Sequence, residues 1–288
     1  MKRLPALLVL AIAAIAFAAM AKSLPLPQVP AELRTPHERA AYVAAHFWDG
    51  FDSADADMLN ADTMAQNVAN YLSVIPVIAD DSVRTAAVAE AVRKMNSTED
   101  AALLFSQTIE TYLFGHSSPM RDEQLFRTFL AAMVAAQYPD APRSAWLLEM
   151  TGKNQPGDKA ADFEFIDRAG VHHTLYSELG QPTILFFYDP DCEDCHAAAR
   201  QMAADVFLST KVEQGRAKVV AIHPGELDVW KENVQKFPRE WVDGCDEGAI
   251  DADGIFMIKG FPTLYLLAAD GTVILKDAPV SAILSAIP

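Results

Sequence analysis

An all-α domain followed by an α/β domain, with a central mixed sheet flanked by helices, is the fold class this sequence predicts. Three observations carry it. Up to about residue 138 the apolar residues recur at three- and four-residue spacing, the period of a helix with one buried side. After about residue 160 short alternating or wholly apolar runs take over, separated by helical stretches. Between them, 139–158 mixes Pro, Gly, Lys and Asn and reads as a connection. At 288 residues, 51% of them hydrophobic, the chain is long and apolar enough for two cores.

Lys2 and Arg3 precede an uncharged run, Leu4 to Ala21, that ends in Ala19-Met20-Ala21. This is the pattern of a secretory leader with a small-residue cleavage site, so 1–21 is expected to be a signal peptide. The other reading is an uncleaved anchor, because 18 residues are just enough to span a bilayer. No cysteine lies near the cleavage site, which excludes a lipid-anchored lipoprotein. Either way the rest of the chain is expected outside the cytoplasm, most simply in a periplasm. Cleavage would remove two cations and no anions, taking the formal net charge from −16 to −18.

Residues 22–34 hold three prolines and read as an extended lead-in. The helical domain is then 35–138. Thr35-Pro36 is an N-cap followed by proline at the first helical position. Tyr42, Val43, Phe47 and Trp48 share one side of that helix. Met64, Val68, Tyr71, Leu72 and Ile75 mark a second helix, stopped by Pro76. A third follows Asp80 and Asp81, with Val83, Val88, Val92 and Met95. Thr98 opens a fourth, with Leu103, Leu104, Ile109, Tyr112 and Leu113 inward. Asp122 and Glu123 open a fifth, with Phe126, Phe129, Leu130, Met133 and Val134. Five amphipathic helices with short connections predict a compact bundle.

The α/β domain, 159–288, begins with the alternating Ala161 to Ile166. A turn follows at Asp167 to Gly170, then a return strand from Val171 to Tyr176. Thr183 to Tyr188 is an apolar run of buried-strand type. A helix is expected from Cys195 to about Thr210, a strand at Ala217 to Ile222 and a helix at Leu227 to Phe237. A strand at Thr263 to Ala268, an Asp270-Gly271 turn, a strand at Val273 to Lys276 and a helix at Val280 to Ile287 close the chain.

The acidity, with a pI near 4.7, argues against a nucleic-acid partner, which needs clustered Lys and Arg. It argues equally against a polybasic membrane patch, so contact with a membrane is expected only if the leader stays uncleaved. Three cysteines are too few for a disulfide scaffold. Two of them, Cys192 and Cys195, form one C-x-x-C. Following a buried strand and an Asp-Pro-Asp turn, Cys192 would sit at the first turn of a helix. There free N–H groups and the helix dipole stabilise the attacking thiolate. Cys195, one turn on, is placed to attack a mixed disulfide. The spacing alone leaves a zinc site or a structural disulfide open. Zinc would need further ligands, and the candidates are only Cys245 and His196.

A second element joins the first. Phe261-Pro262-Thr263 enters the late apolar strand Leu264 to Leu267. With Cys192-Glu193-Asp194-Cys195 after a central strand, it resembles the thioredoxin family, whose members carry a cis-proline before a late strand, facing the cysteines. Ala161-Asp162-Phe163, with Asp167 and Gly170, and the long segment from Cys195 to Pro262 resemble the exported TlpA/ResA-type thiol–disulfide oxidoreductases. The resemblance covers about 155 to 288. It implies a thioredoxin fold, Cys192 as nucleophile, Cys195 as resolving thiol, and Phe261 and Pro262 as the contact for an extended substrate. It implies no cofactor. The front half, with Phe47-Trp48-Asp49-Gly50-Phe51 and Ser117-Ser118-Pro119-Met120-Arg121, resembles a helical domain of unknown function found before thioredoxin domains.

Two departures from the family stand out. The buried carboxylate that thioredoxins place six residues before the first cysteine is Phe186 here, and Glu164 is the candidate substitute. The dipeptide Glu193-Asp194, with Asp189 and Asp191 upstream, opposes a thiolate on Cys192. One anion ~7 Å away costs roughly 0.6–1.2 kcal/mol at an effective dielectric of ~40–80, comparable with the ~0.3–1 kcal/mol an exposed helix terminus supplies. A destabilised thiolate favours the disulfide, so the pair is expected to act as a reductant. Cys245 reads as a buried small hydrophobe. His172 and His173 read as packing or solvent-facing, and His196 is the candidate cation beside the thiolate.

The expected function is an exported thiol–disulfide oxidoreductase that reduces or exchanges protein disulfides. Its expected partners are exported protein disulfides or thiols and an electron-donor protein. The alternative is a non-enzymatic binding module on a thioredoxin-like scaffold with an inert disulfide.

Overall fold

A computed structural model of the chain describes residues 22–232 and 237–288. The expected leader, 1–21, lies outside the described residues. The chain divides into two compact units, Met1–Thr108 and Ile109–Pro288.

In the first unit the lead-in is extended, and Leu24 is buried. Its N–H donates to Asn67 Oδ1 at 2.8 Å. Helices α1 (Pro36–His46), α2 (Ala61–Val74), α3 (Asp81–Met95) and α4 (Glu99–Phe114) follow, and α4 runs across the unit boundary. The start of α1 is closed by a reciprocal cap: Thr35 Oγ1 accepts from Glu38 N, and Glu38 Oε2 accepts from Thr35 N. Asn60 and Asp80 cap α2 and α3 from one side only, each side-chain oxygen accepting from two N–H groups of the first turn. Pro76, which cannot donate to a helix, falls in a 3-10 turn directly after α2. The aromatic residues of helical spacing make the core. Trp48 packs edge-on to Phe105 with centroids 5.5 Å apart, and Phe47, Trp48 and Tyr71 form a cluster of mutual ring contacts.

The second unit contains α5 (Glu123–Ala135), capped by Asp122, and α6 (Ala141–Thr151). The stretch 139–158 is therefore not a plain connection. Pro142 starts a helix there, and Ser144, Leu147, Met150 and Thr151 bury one side of it. The sheet comprises β1 (Glu164–Asp167), β2 (His172–Thr174), β3 (Thr183–Phe187), β4 (Lys218–His223), β5 (Val242–Cys245), β6 (Thr263–Leu267) and β7 (Val273–Leu275). Their order is β2-β1-β5-β4-β3-β6-β7. β3, β4 and β5 are parallel neighbours, and the remaining pairs are antiparallel. Helices α7 (Glu193–Ala204), α8 (Val206–Glu213), α9 (Leu227–Glu232), α10 (Ala249–Ala252) and α11 (Val280–Ala286) complete the unit.

Every residue of β3 and β6 is buried, as their apolar runs predict. Phe186, Ile184, Leu264 and Leu266 pack on one sheet face with Cys195, Met202 and Ile283. Leu185, Phe187, Tyr265 and Leu267 pack on the other with Phe163 and Phe256. Three expectations shift in detail. The return strand is only His172–Thr174, because Thr174 caps a 3-10 turn over Leu175–Glu178. The expected helix from Cys195 to Thr210 is two helices, because Asp205 leaves the helical conformation and its carboxylate caps α8 at Leu208 N, 2.8 Å away. Of the helix expected at Leu227 to Phe237, α9 covers Leu227–Glu232, and 233–236 lie outside the described residues.

Candidate active site

β3 delivers the chain to the C-x-x-C. Beyond Phe187 it continues through Tyr188 into the turn Asp189-Pro190-Asp191, where Asp189 Oδ1 accepts from Asp191 N at 2.9 Å. The carbonyl of Asp189 accepts from Cys192 N. Cys192 then becomes the N-cap of α7, with extended backbone (φ −86°, ψ 110°), and its sulfur accepts from Cys195 N at 3.1 Å. The two cysteines are joined as a disulfide with Cα atoms 5.2 Å apart. Cys192 is half-buried and Cys195 is buried, so an incoming group reaches Cys192 first. Glu193 and Asp194 lie exposed in the first turn of α7.

Phe261-Pro262 lies opposite, joined by a cis peptide bond. The antiparallel register pairs Phe187 with Thr263, so Pro262 sits at the sheet end from which β3 runs towards Cys192. Phe261 and Cys192 both pack at the margin of the core on the α7 face of the sheet. The helix terminus, half-buried Cys192, buried Cys195 and the cis-proline loop therefore occupy one end of the sheet. That arrangement can pass two electrons between a dithiol and a disulfide and needs no further group.

Phe186 is wholly buried on the α7 face and stacks on Tyr188, centroids 5.6 Å apart. Glu164 does not stand in for the missing carboxylate. It is exposed on β1, three strands away from β3. The buried carboxylate of this face is Asp243 on β5, which sequence reasoning missed. Phe186, Ala221 and Asp243 are register partners across β3, β4 and β5, so they share a face. Tyr188 Oη donates to Asp243 Oδ1 at 2.7 Å, and Arg168 Nε donates to Asp243 Oδ2 at 2.7 Å. Trp230 Nε1 donates to Tyr188 Oη at 2.9 Å. Burial pushes the Asp243 carboxyl up, against the pull of the Tyr188 and Arg168 hydrogen bonds. Burial, then the Asp243 charge, pushes the Tyr188 phenol up.

Cys245 is fully buried, makes no disulfide, and hydrogen-bonds from its thiol to Gly225 O at 3.1 Å. Burial pushes its thiol up, which suits a packing residue and not a redox partner. Cys245 and His196 do not complete a metal set with the C-x-x-C; among the described residues no three His, Cys, Asp or Glu side chains are grouped as ligands. Nε2 of His196 is buried without a hydrogen-bond partner. His172 is exposed. His173 stacks on Phe165 and lies between Asp167 (3.0 Å) and Glu178 (2.9 Å).

A family described as a domain of unknown function, DUF5106, matches residues 12–150. No curated protein matches the chain. Among solved structures, a thioredoxin-like protein from Bacteroides caccae is 27% identical over 92% of this chain and 98% of its own, with a TM-score of 0.77. The C-terminal domain of an uncharacterised protein from Bacteroides fragilis is 33% identical over 47% of this chain and 99% of its own, with a TM-score of 0.45. The thioredoxin domain of a thiol–disulfide oxidoreductase from Bacteroides vulgatus is 16% identical over 46% of this chain and 99% of its own, with a TM-score of 0.40. The fold, the disulfide at the head of α7 and the likeness to the Bacteroides caccae protein over 92% of this chain agree: the chain has a thioredoxin-like fold, preceded by a helical region that matches a domain of unknown function.

Proposed function

We propose that the chain is an exported thiol–disulfide oxidoreductase that reduces or exchanges protein disulfides through Cys192 and Cys195. The observation that carries this reading is the unequal burial of the two disulfide-bonded cysteines at the start of α7, at the sheet end that also holds Phe261-Pro262. In the reduced protein the Cys192 thiolate attacks one sulfur of a partner disulfide. A Cys192–partner bond forms, and the other partner sulfur leaves as thiolate. The Cys195 thiolate then attacks Cys192 Sγ, releasing the second partner thiolate and closing the Cys192–Cys195 disulfide. Two electrons pass from the dithiol to the partner, and the protons of the two cysteines balance the two new partner thiols. A second exported protein dithiol restores the reduced pair. Phe261 offers the extended partner an apolar contact, and Glu193 and Asp194 bias the pair towards giving electrons. The leader-like segment 1–21 supports export to a periplasm.

The test is disulfide trapping. Cys195→Ala should accumulate mixed disulfides through Cys192, Cys192→Ala should accumulate none, and the wild-type protein should reduce insulin with turnover. Equal trapping by both variants, or none by either, overturns the reading.

A further inference from the structure

We propose that the loop between α4 and α5, outside the thioredoxin fold, shapes the cis-proline loop and thereby sets which protein disulfides are accepted, with His116 and Lys259 as the positioning residues. The proposal rests on the dithiol reading above.

Lys259-Gly260 leads directly into Phe261-Pro262, and both residues are fastened from the segment Phe114–Glu123. A Cβ placed on Gly260 would lie 2.9 Å from His116 Cγ and 3.2 Å from His116 Cβ. The imidazole therefore packs on the Gly260 backbone more closely than any side chain at 260 allows. His116 Nδ1 is buried without a hydrogen-bond partner, so the ring acts on the loop by contact. Gly260 O is held from the other side by Thr263 Oγ1 at 2.7 Å.

Lys259 supplies the second fastening. Its side chain is only 5% exposed, and its ammonium lies 3.0 Å from Asp277 Oδ2 and 3.4 Å from Glu123 Oε2. It also sits 4.1 Å from the centroid of the Phe114 ring. A buried ammonium holds its place only where its partners do. Here two of those partners, Phe114 and Glu123, are the residues that end α4 and begin α5. Asp277, the third, is itself gripped by Arg121 of the same loop, whose guanidinium donates to Asp277 O at 2.9 Å.

An extended protein substrate must lie along Phe261-Pro262 while its sulfur meets Cys192. A displacement of about 1 Å at such a contact is enough to cost a rate of the order of 10²-fold. A small disulfide needs only the Cys192 sulfur, so it is less sensitive to the loop. The α4–α5 loop thus acts on selectivity more than on the sulfur chemistry.

The experiment compares kcat/KM for insulin with kcat/KM for bis(2-hydroxyethyl) disulfide, using the full chain and its His116→Ala, His116→Phe and Lys259→Met variants. The ratio of the two constants should fall roughly fivefold or more in His116→Ala and Lys259→Met, and return to within about twofold of wild type in His116→Phe, which restores the ring. A ratio within about twofold of wild type in His116→Ala, or both constants falling in proportion, overturns the proposal. If Lys259→Met does not fold, the two His116 variants decide. A wild-type protein that reduces neither disulfide overturns the dithiol reading and this proposal with it; one that reduces both at an unmoved ratio overturns this proposal alone.

Discussion

The hydroxyl of Tyr188, four residues before Cys192, donates to the buried carboxylate of Asp243 at 2.7 Å. The bond ties the chain that leads from β3 to the Cys192–Cys195 disulfide to β5, two strands away. It also puts a carboxylate on the sheet face where Phe186 has replaced one, with Arg168 and Trp230 completing its hydrogen bonds.

Asp243 makes stability depend on pH with a known sign. Its carboxyl is raised above the ordinary value, so the folded protein binds the proton more tightly than the unfolded chain. The cost of the buried charge is absent below about pH 4, the ordinary carboxylate value, and grows as pH rises through the raised one. Asp243→Asn keeps an acceptor for Tyr188 and removes the charge. Thermal melts of both proteins should show wild type losing ground to Asp243→Asn between about pH 4 and pH 7. Wild type gaining ground over that range would show that Arg168 and Tyr188 outweigh the burial.

Glu193→Gln with Asp194→Asn should make the Cys192–Cys195 pair less reducing. Removing two anions beside Cys192 stabilises its thiolate and hence the reduced form. At ~30 mV per 1.4 kcal/mol, two contributions of ~0.6–1.2 kcal/mol shift the potential upward by roughly 25–50 mV. The shift should be absent well below about pH 8.5, where an ordinary thiol stays protonated, and should grow to its full size above that pH. A glutathione redox titration measures it. A shift to more negative potential would refute the electrostatic account, as would a wild-type potential above about −180 mV, the isomerase range.

What the sequence made legible was what is encoded locally. Thr35, Pro36 and Glu38 announce the start of α1 because an N-cap, a proline at N1 and a reciprocal carboxylate act within four residues. Cys192, Cys195 and Pro262 stood out by residue type and spacing, and the structure joins the two cysteines as a disulfide and gives Phe261-Pro262 a cis peptide bond. β5 was not. Val242-Asp243-Gly244-Cys245 lacks the alternation of a strand and carries an acid and a glycine. Its burial depends on Tyr188, 55 positions away, and Arg168, 75 positions away. The fastening of Lys259 was hidden for the same reason: an isolated lysine in a sequence gives no sign that Glu123 and Asp277 converge on it.

Glu123 should be worth a large fraction of the stability of the second unit. It accepts from Lys276 Nζ at 2.8 Å and faces Lys259 at 3.4 Å. Burial alone would raise its carboxyl, but Lys276 and then Lys259 hold it below the ordinary range. Lys276 is also bound to Thr151 O and Lys153 O, each at 3.0 Å, and these acceptors keep its ammonium in place. Glu123→Gln leaves both ammonium groups underpaired and should cost about 2–4 kcal/mol at pH 7. Because the folded carboxyl is lowered, its stabilisation is complete above the ordinary carboxylate value and is lost as pH falls through the lowered one. Urea titrations at pH 7 and pH 3.5 should therefore show the gap between wild type and Glu123→Gln narrowing. A gap that stays constant would mean the side chain contributes by shape and not by charge.

Gly244 tests why β5 tolerates a glycine in a buried strand. A Cβ there would lie 2.4 Å from Phe165 Cδ2 and 2.9 Å from Ile166 O. The first clash is with a buried ring and the second with backbone, so neither neighbour can yield cheaply. Gly244→Ala should destabilise by roughly 1–3 kcal/mol, the range for overpacking a filled core. Part of that cost belongs to the Phe165 ring. In a Phe165→Leu background, Gly244→Ala should cost less than in wild type, a coupling that a double-mutant cycle of urea midpoints reads directly. Strict additivity of the two substitutions would assign the whole effect to the Ile166 carbonyl, and with it the close approach of β1 to β5.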